Sequence, residues 1–338
     1  MRWYDQTLFA EKFYIRDRKR RSVMGRKVTV IGAGNVGATI AYTFSLGDLA
    51  SEIVILDIKK DKAEGEAMDI VQGASFRESI SVISGDYEAA RDSDVVVITS
   101  GINRKPGQTR LELTQINVEI LKDITPQIVA VAPKAKYVLV SNPVDITTYV
   151  FTKLSGLPES QIMGTGTLLD TARLRYLISE HFHIAQKNVH AYVFGEHGDS
   201  SFIPWSCANI STSSFENYER LALANGFVKE PLDKEATINA VRKMGGEIIK
   251  RKGATFYAVS VSVSKLCDNL FSANDSLTTI TSMMHGEYGI SDICLSTLTM
   301  LGPKGIKGKV EIDIADDEIM KLRESAEALK AVIRDVKL

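Results

Sequence analysis

A run of β-branched and apolar positions at residues 28–31 gives way to Gly32-x-Gly34-x-x-Gly37, and then to apolar positions at helical spacing through Ala41 and Phe44. The pattern predicts a strand, a glycine turn and a helix. A second short strand, residues 52–56 (EIVIL), ends at Asp57, and a helical stretch around residues 63–72 follows. Short strands are expected at 80–83 and 94–99, a helix over 113–131 ending near Pro133, and a strand at 137–140 that closes at SNPVD, residues 141–145. Short apolar strands separated by helices predict a parallel, doubly wound sheet. Ligands of such sheets lie beyond the carboxyl ends of the strands. Gly32, Asp57, Gly101 and Asn142 all follow strand ends, so they are expected to converge on one crevice.

Past residue 160 the pattern changes. Residues 167–180 have helical spacing, which puts Asp170 and Arg173 on one face. Such a pair is ordinarily a surface ion pair. Residues 192–194 (YVF) then lead into GEHGD, where His197 lies between glycines. A histidine placed there after a strand is held by a backbone turn, which predicts an exposed, positioned imidazole. Residues 234–251 read as a helix, residues 254–257 open an apolar stretch, and 275–287 and 290–301 read as antiparallel strands. The chain ends in an amphipathic helix with Ile319, Leu322, Ala326, Leu329 and Ile333 as its stripe.

Composition narrows the function classes. The chain has 338 residues, enough for two domains, with 44% hydrophobic and 25% charged residues. A net charge of −1 gives no reason to expect a nucleic-acid or membrane partner. The three cysteines are scattered, show no metal spacing and fit a reducing cytoplasm as small buried hydrophobes; no metal is expected. Residues 1–24 differ, with seven Lys or Arg against three acids, which leaves 34 bases against 39 acids in the remainder. Those acids argue against a transit peptide, and no secretory apolar core is present. The segment reads as a flexible basic extension, with Met24 the natural beginning.

The glycines have distinct expected roles. Gly32 permits a tight turn, Gly34 lets the backbone approach a pyrophosphate, and Gly37 lets the helix pack close to the strand. Free N–H groups from Asn35 and Val36 onward, with the helix dipole behind them, favour an anion. Asp57, 20 residues after Gly37, can hydrogen-bond both ribose hydroxyls of NAD and repels the 2′-phosphate of NADP. Residues 101–110 (GINRKPGQTR) carry Arg104, Lys105 and Arg110 on a segment punctuated by glycine and Pro106. That composition suits a lid that brings positive charge onto an anionic substrate.

These motifs together resemble the NAD-dependent L-lactate and malate dehydrogenases, over about nine tenths of the sequence from residue 27 onward. The resemblance rests on GAGNVG, VILD, Thr109-Arg110, SNPVD, LLDTAR and GEHGD; FGEHGD, PWS and GATFYA look closer to the lactate branch, in its bacterial form. It implies an NAD-binding Rossmann domain at 25–165 and an α+β catalytic domain with an antiparallel sheet at 166–338. His197 is implied as the proton donor and acceptor, oriented by Asp170. Arg173 would grip the substrate carboxylate, and Arg110 on the lid would polarise the carbonyl. Asn142 would hold the nicotinamide side, and Thr255 would line the pocket around the third carbon. Gly32, Gly34, Asn35, Val36, Gly37, Asp57, Gly101 and Asn142 would bind the cofactor. Arg175 and His190 match positions where allosteric members bind fructose 1,6-bisphosphate at a subunit interface of a homotetramer. The implied activity is cytoplasmic, fermentative reduction of pyruvate to L-lactate. One position departs from the pattern. Arg104 stands where the lactate branch usually has glutamine and the malate branch has arginine, so the alternative is a malate dehydrogenase on a lactate-type scaffold. A catalytically silent NAD-binding protein is the third reading, and the intact set of Arg110, Asp170, Arg173 and His197 argues against it.

Overall fold

Strand β1 (Lys27–Ile31) runs through the middle of the sheet, and Val28, Val30 and Ile31 are buried on it. The computed structural model describes residues 25–77, 80–102, 107 and 109–337. After β1 come α1 (Asn35–Leu46), β2 (Glu52–Leu56), α2 (Lys60–Gln72), β3 (Ser81–Ser84), β4 (Val95–Ile98), α3 (Arg110–Val131), β5 (Lys136–Leu139), α4 (Val144–Ser155) and β6 (Ile162–Gly164). These strands pair in parallel in the order β6-β5-β4-β1-β2-β3. Helices cover both faces, so the inner strands are apolar at successive positions rather than alternating. All four residues of β4 are buried. Helix α1 buries Gly37, Ile40, Ala41 and Phe44, the spacing of one helical face. A fully buried Ile or Phe of this kind contributes roughly 1.5–3 kcal/mol.

The second half contains α5 (Leu168–Phe182), β7 (Val189–His190), β8 (Asn209–Ile210), β9 (Ser213–Ser214), α6 (Phe215–Ala224), α7 (Lys234–Lys252), α8 (Tyr257–Phe271), β10 (Ser276–His285), β11 (Ser291–Gly302), β12 (Gly305–Lys309) and α9 (Asp316–Asp335). Strands β7, β8 and β9 form a small antiparallel sheet of their own. Strands β10 to β12 are also antiparallel, but they continue the first sheet. Thr281 of β10 pairs with Gly164 of β6, and the nine strands run as β12-β11-β10-β6-β5-β4-β1-β2-β3. The seam is tight. A Cβ on Gly164 would lie 2.3 Å from Thr148 Oγ1, and one on Gly166, at φ +49°, would lie 2.1 Å from Ser296 Oγ.

The structure departs from the sequence expectations in four places. The strand closing at SNPVD is followed by α4, with residues 144–151 buried throughout, so it cannot show a one-faced helical stripe. The apolar stretch after residue 254 is helix α8, whose serines alternate with valines but bury one face. The segment before His197 is held by two isolated bridges, Phe194 with Phe202 and Gly195 with Ser296, rather than by a regular strand. The Asp170–Arg173 pair is no surface pair, because its side chains are only 6% and 10% exposed. Cys267 and Cys294 are buried and Cys207 is half-buried. Helix α9 buries Leu322, Ala326 and Leu329, with Ile319 and Ile333 packed beside them. The extension 1–24 lies outside the described residues. Among the described residues no helix is long and apolar enough to cross a membrane.

Candidate active site

The glycine turn after β1 separates packing from binding. Gly32 has φ +111°, and a Cβ there would lie 2.6 Å from Thr99 Oγ1. A Cβ on Gly37 would lie 1.8 Å from the Gly32 carbonyl oxygen, so α1 can approach β1 only with glycine there. Gly34 is different: it is extended, it caps α1, and its Cβ position has no protein atom within 4 Å. The cap residue gives α1 no side-chain hydrogen bond. The first-turn N–H groups around Asn35 and Val36 therefore face an open space suited to a diphosphate. Asp57 ends β2 beside this turn. Its Oδ2 accepts the Ala33 N–H at 2.7 Å and its Oδ1 accepts the Lys59 N–H at 2.8 Å. The carboxylate is thus fixed next to the opening. Glycine cradle, helix start and acid fit a dinucleotide such as NAD.

Gly101 and Asn142 follow β4 and β5 and are tied together by a residue the sequence reading did not single out. Asn117 of α3 donates from Nδ2 to the Asn142 carbonyl at 2.7 Å and to the Ile102 carbonyl at 3.3 Å, and accepts the Ile102 N–H at 2.8 Å. Both strand ends are held by one amide, and Asn142 itself is exposed. Helix α3 begins at Arg110 behind a capping box, in which Thr109 and Glu112 satisfy each other's N–H groups. The Arg110 side chain and Arg104 lie outside the described residues. Thr255 is half-buried in the link between α7 and α8.

The second half brings three expected residues into one constellation. His197 Nδ1 lies 2.5 Å from Asp170 Oδ2, and Arg173 Nη1 donates to Asp170 Oδ1 at 2.9 Å. One carboxylate therefore bridges an imidazole and a guanidinium. His197 is 29% exposed against 6% for Asp170, so the ring reaches outward from a buried anchor. Asp170 sits in the first turn of α5, where the helix dipole favours its charge. Helix α7 passes over Arg173, with Gly245 placed so that a Cβ would lie 3.5 Å from the guanidinium.

A residue missed in the sequence supports the histidine turn from below. The His197 N–H donates to Asp145 Oδ2 at 2.8 Å, and the Thr281 hydroxyl donates to Asp145 Oδ1. Thr281 Oγ1 lies 2.8 Å from Ser296 Oγ, which accepts the Thr167 N–H at 3.1 Å. Gly195 exchanges backbone hydrogen bonds with Ser296, and the Glu196 N–H donates to Ser325 of α9. The available signal was Asp145 itself, the one acid in the otherwise uncharged run 144–152.

Charge follows from this geometry. The Asp170 carboxylate holds His197 protonated and raises its pKa to about 9; burial works against this, while the hydrogen bond to Asp170 and the charge of Asp145 add to it. Burial opposes the Asp170 charge, but His197 and Arg173 outweigh it and keep this carboxyl below its ordinary range. Burial pushes Asp145 up to about 6, despite its two hydrogen bonds. Protonated imidazole, carboxylate and guanidinium together carry a net positive charge toward the opening. That arrangement can bind an anion and give up a proton. Among the described residues no group of three His, Cys, Asp or Glu could hold a metal ion.

Arg175 and His190 lie away from this cluster. Arg175 Nε donates to the Ala191 carbonyl at 3.2 Å, and its guanidinium lies 5.1 Å from the Tyr192 ring centre. It lines a cavity of about 280 Å³ together with Thr171, Gln186, Lys187, Tyr192 and Thr279. His190 is exposed on the neighbouring strand.

Both halves of the chain match known proteins. Residues 26–164 match the lactate/malate dehydrogenase NAD-binding domain, and residues 167–338 match the lactate/malate dehydrogenase alpha/beta C-terminal domain. The L-lactate dehydrogenase of Thermoanaerobacter sp. is 42% identical over 310 residues, which is 92% of this chain and 99% of that protein. L-lactate dehydrogenase 1 of Clostridium acetobutylicum is 43% identical over 306 residues, covering 90% of this chain and 96% of its own length. Among solved structures, MGS-M5, a lactate dehydrogenase from a Medee basin deep-sea metagenome, superposes with a TM-score of 0.86 at 36% identity, covering 92% and 98% of the two chains. With both of its halves matched in order along its length, the chain belongs to the lactate/malate dehydrogenase family.

Proposed function

We propose that the protein is an L-lactate dehydrogenase, reducing pyruvate reversibly to L-lactate with NADH. The observation that carries this reading is the Asp170 carboxylate shared between His197 and Arg173. In this reading residues 25–165 bind NAD and residues 166–338 bind the substrate. Arg173, with Nη1 committed to Asp170, presents its remaining N–H groups to the substrate carboxylate as a fork that lysine cannot form. Asp170 engages His197 through Nδ1, so Nε2 is the nitrogen that delivers a proton to the 2-oxo oxygen. The bound NADH supplies the hydride. Arg110, arriving with the lid, stabilises negative charge on that oxygen; Asn142 holds the nicotinamide side, and Thr255 lines the pocket around the substrate's third carbon. Asp57 selects NADH over NADPH by its charge.

Relatives at 42–43% identity are L-lactate dehydrogenases, which supports lactate over malate. Arg104 favours a second reading, malate dehydrogenase, because a guanidinium closing near the substrate's far end would pair with the second carboxylate of oxaloacetate. The deciding experiment is kcat/KM with NADH for pyruvate and oxaloacetate side by side, in the unmodified protein and in Arg104→Gln. We expect pyruvate to be preferred, and Arg104→Gln to lower oxaloacetate turnover about tenfold, roughly 1.4 kcal/mol. A preference for oxaloacetate gives the function to the second reading. Arg175 and His190 belong to a fructose 1,6-bisphosphate site between subunits of a cytoplasmic homotetramer in this proposal. The effector should then lower the KM for pyruvate.

A further inference from the structure

Asp145 meets the histidine turn at the His197 backbone N–H, whereas Asp170 meets the ring. Three things about it need explaining. It is a buried carboxylate in an apolar helix, which is costly unless its charge is used. It accepts one hydrogen bond from the backbone of the residue that bears the reactive imidazole, at 2.8 Å. Its other oxygen takes a hydroxyl whose own oxygen faces Ser296, and Ser296 in turn holds the Thr167 N–H at the entry to α5. The chain Thr167–Ser296–Thr281–Asp145–His197 thus joins the helix that carries Asp170 to the turn that carries His197. Five separate parts of the fold meet in it.

With Asp145 ionised, the directions of its hydrogen bonds follow. The carboxylate can only accept, so Thr281 donates to it, and Ser296 Oγ, which accepts the Thr167 N–H, gives its own proton to Thr281. Thr281 then accepts from Ser296 and donates to Asp145. An ionised Asp145 is the acceptor at which both this relay and the His197 N–H end. A neutral carboxylic acid there would instead donate to Thr281 and reverse the relay.

We propose that Asp145 is a positioning residue for the acid–base step, acting through the His197 backbone to set both the place of the imidazole and its hold on the proton. This rests on the lactate dehydrogenase reading for the role of His197. Asp170 controls the ring directly, and Asp145 controls the peptide that carries it. The charged groups acting on His197 are Asp170 and Arg173 of α5 and Asp145 of α4; Glu196, next to His197 in sequence, acts on Asp145. Lys309 of β12 acts on Asp145 from the side; β10 and β11 contribute the Thr281 and Ser296 hydroxyls. Asp145 meets His197 at the backbone N–H rather than at the ring that Asp170 holds, so its charge can be removed while the Asp170 bridge stays intact.

The test is Asp145→Asn, which keeps the shape and an acceptor oxygen for the His197 N–H but removes the charge. The readouts are the histidine ring titration of His197 by NMR, the pH profile of pyruvate reduction, and Tm. We expect the His197 titration to move down by at least half a pH unit, the alkaline limb of reduction to move with it, and kcat near neutral pH to fall less than tenfold. A variant with lowered Tm and an unmoved His197 titration overturns the proposal and leaves Asp145 a purely structural residue. The ring titration does not depend on turnover, so a protein inactive on every 2-oxo acid would defeat the functional reading while this result still stands. If Asp145→Asn does not fold, the His197 amide of the unmodified protein is followed instead. It should report a carboxylate titration near pH 6, where the ring is already fully protonated. An amide shift that is flat between pH 4 and 8 overturns the proposal.

Discussion

The two halves of the crevice are built by different means. On the cofactor side, backbone does the work: Gly32, Gly34 and Gly37 lie within six consecutive residues, and the groups at the start of α1 are N–H donors with no side-chain cap. On the substrate side, side chains do it, and they come from residues 145, 170, 173, 197 and 281, on three helices or strands and one turn. A site made of local backbone is encoded by spacing. A site made of distant side chains is encoded only by the whole fold, and it needs buried polar groups that must all be satisfied.

The largest expected effect tests the substrate side. His197→Gln should lower kcat for pyruvate reduction by about 10³-fold or more while NADH affinity, read by fluorescence titration, stays within about twofold. Loss of both together would mean that the two sides are not separable.

Asp170→Asn comes next. It removes the charge shared by His197 and Arg173, and kcat should fall by roughly 10². The pH dependence carries the sign. In the unmodified protein His197 keeps its proton up to a pH of about 9, so reduction, which consumes that proton, should fall as pH rises through about 9. Lactate oxidation, which needs the neutral ring, should rise over the same range. Without the Asp170 charge both limbs should move down toward the ordinary histidine value near 6.5. The same logic applies to stability. The raised His197 pKa contributes fully below about pH 6.5 and its contribution is lost as pH rises through about 9. The depressed Asp170 contribution is lost instead as pH falls through its lowered value. Limbs that stay in place in Asp170→Asn would assign the proton to another group.

The cofactor side is sharpened by two neighbouring glycines. Gly37→Ala drives a methyl into the Gly32 carbonyl and should cost about 1–3 kcal/mol, a Tm loss of about 5 °C by thermal melt. Gly34→Ala meets no protein atom, so Tm should hold while NADH binds about tenfold more weakly. Equal effects on Tm and on NADH binding in the two variants would refute the division between packing glycine and binding glycine. The smallest effect is expected from Asp57→Ser, which should narrow the preference for NADH over NADPH without changing kcat.

Legibility in the sequence follows the same contrast. The βαβ order, Asp57 and the crevice were readable because each rests on period and turn chemistry within a few residues. His197 was readable because glycines flank it, and Asp170 and Arg173 because they are three apart on a helix, although their burial was not. A surface pair and a buried bridge look alike at that spacing, and only α7, arriving from residues 234–252, tells them apart. Asp145 and Asn117 were not found, because each acts on a backbone group whose identity the sequence does not specify. Helix α4 was missed because burial on all sides erases the amphipathic stripe.

The seam at Thr281 and Gly164 also bears on how the molecule behaves among its own copies. Two separate sheets would have four free edges; one continuous sheet has two, at β3 and β12. An open edge is a template for uncontrolled strand addition. Strand β3 offers only four residues. Strand β12 offers five, broken by Gly305 and Gly308, with Ser160 backbone packed against one end. Lys307 is exposed on it and pairs with Asp275, while Lys309 turns inward to the Leu295 carbonyl, where burial pulls its pKa down to about 8. A charged residue on an edge strand resists docking by a neighbour, so joining the halves leaves the cell fewer surfaces on which this chain can aggregate.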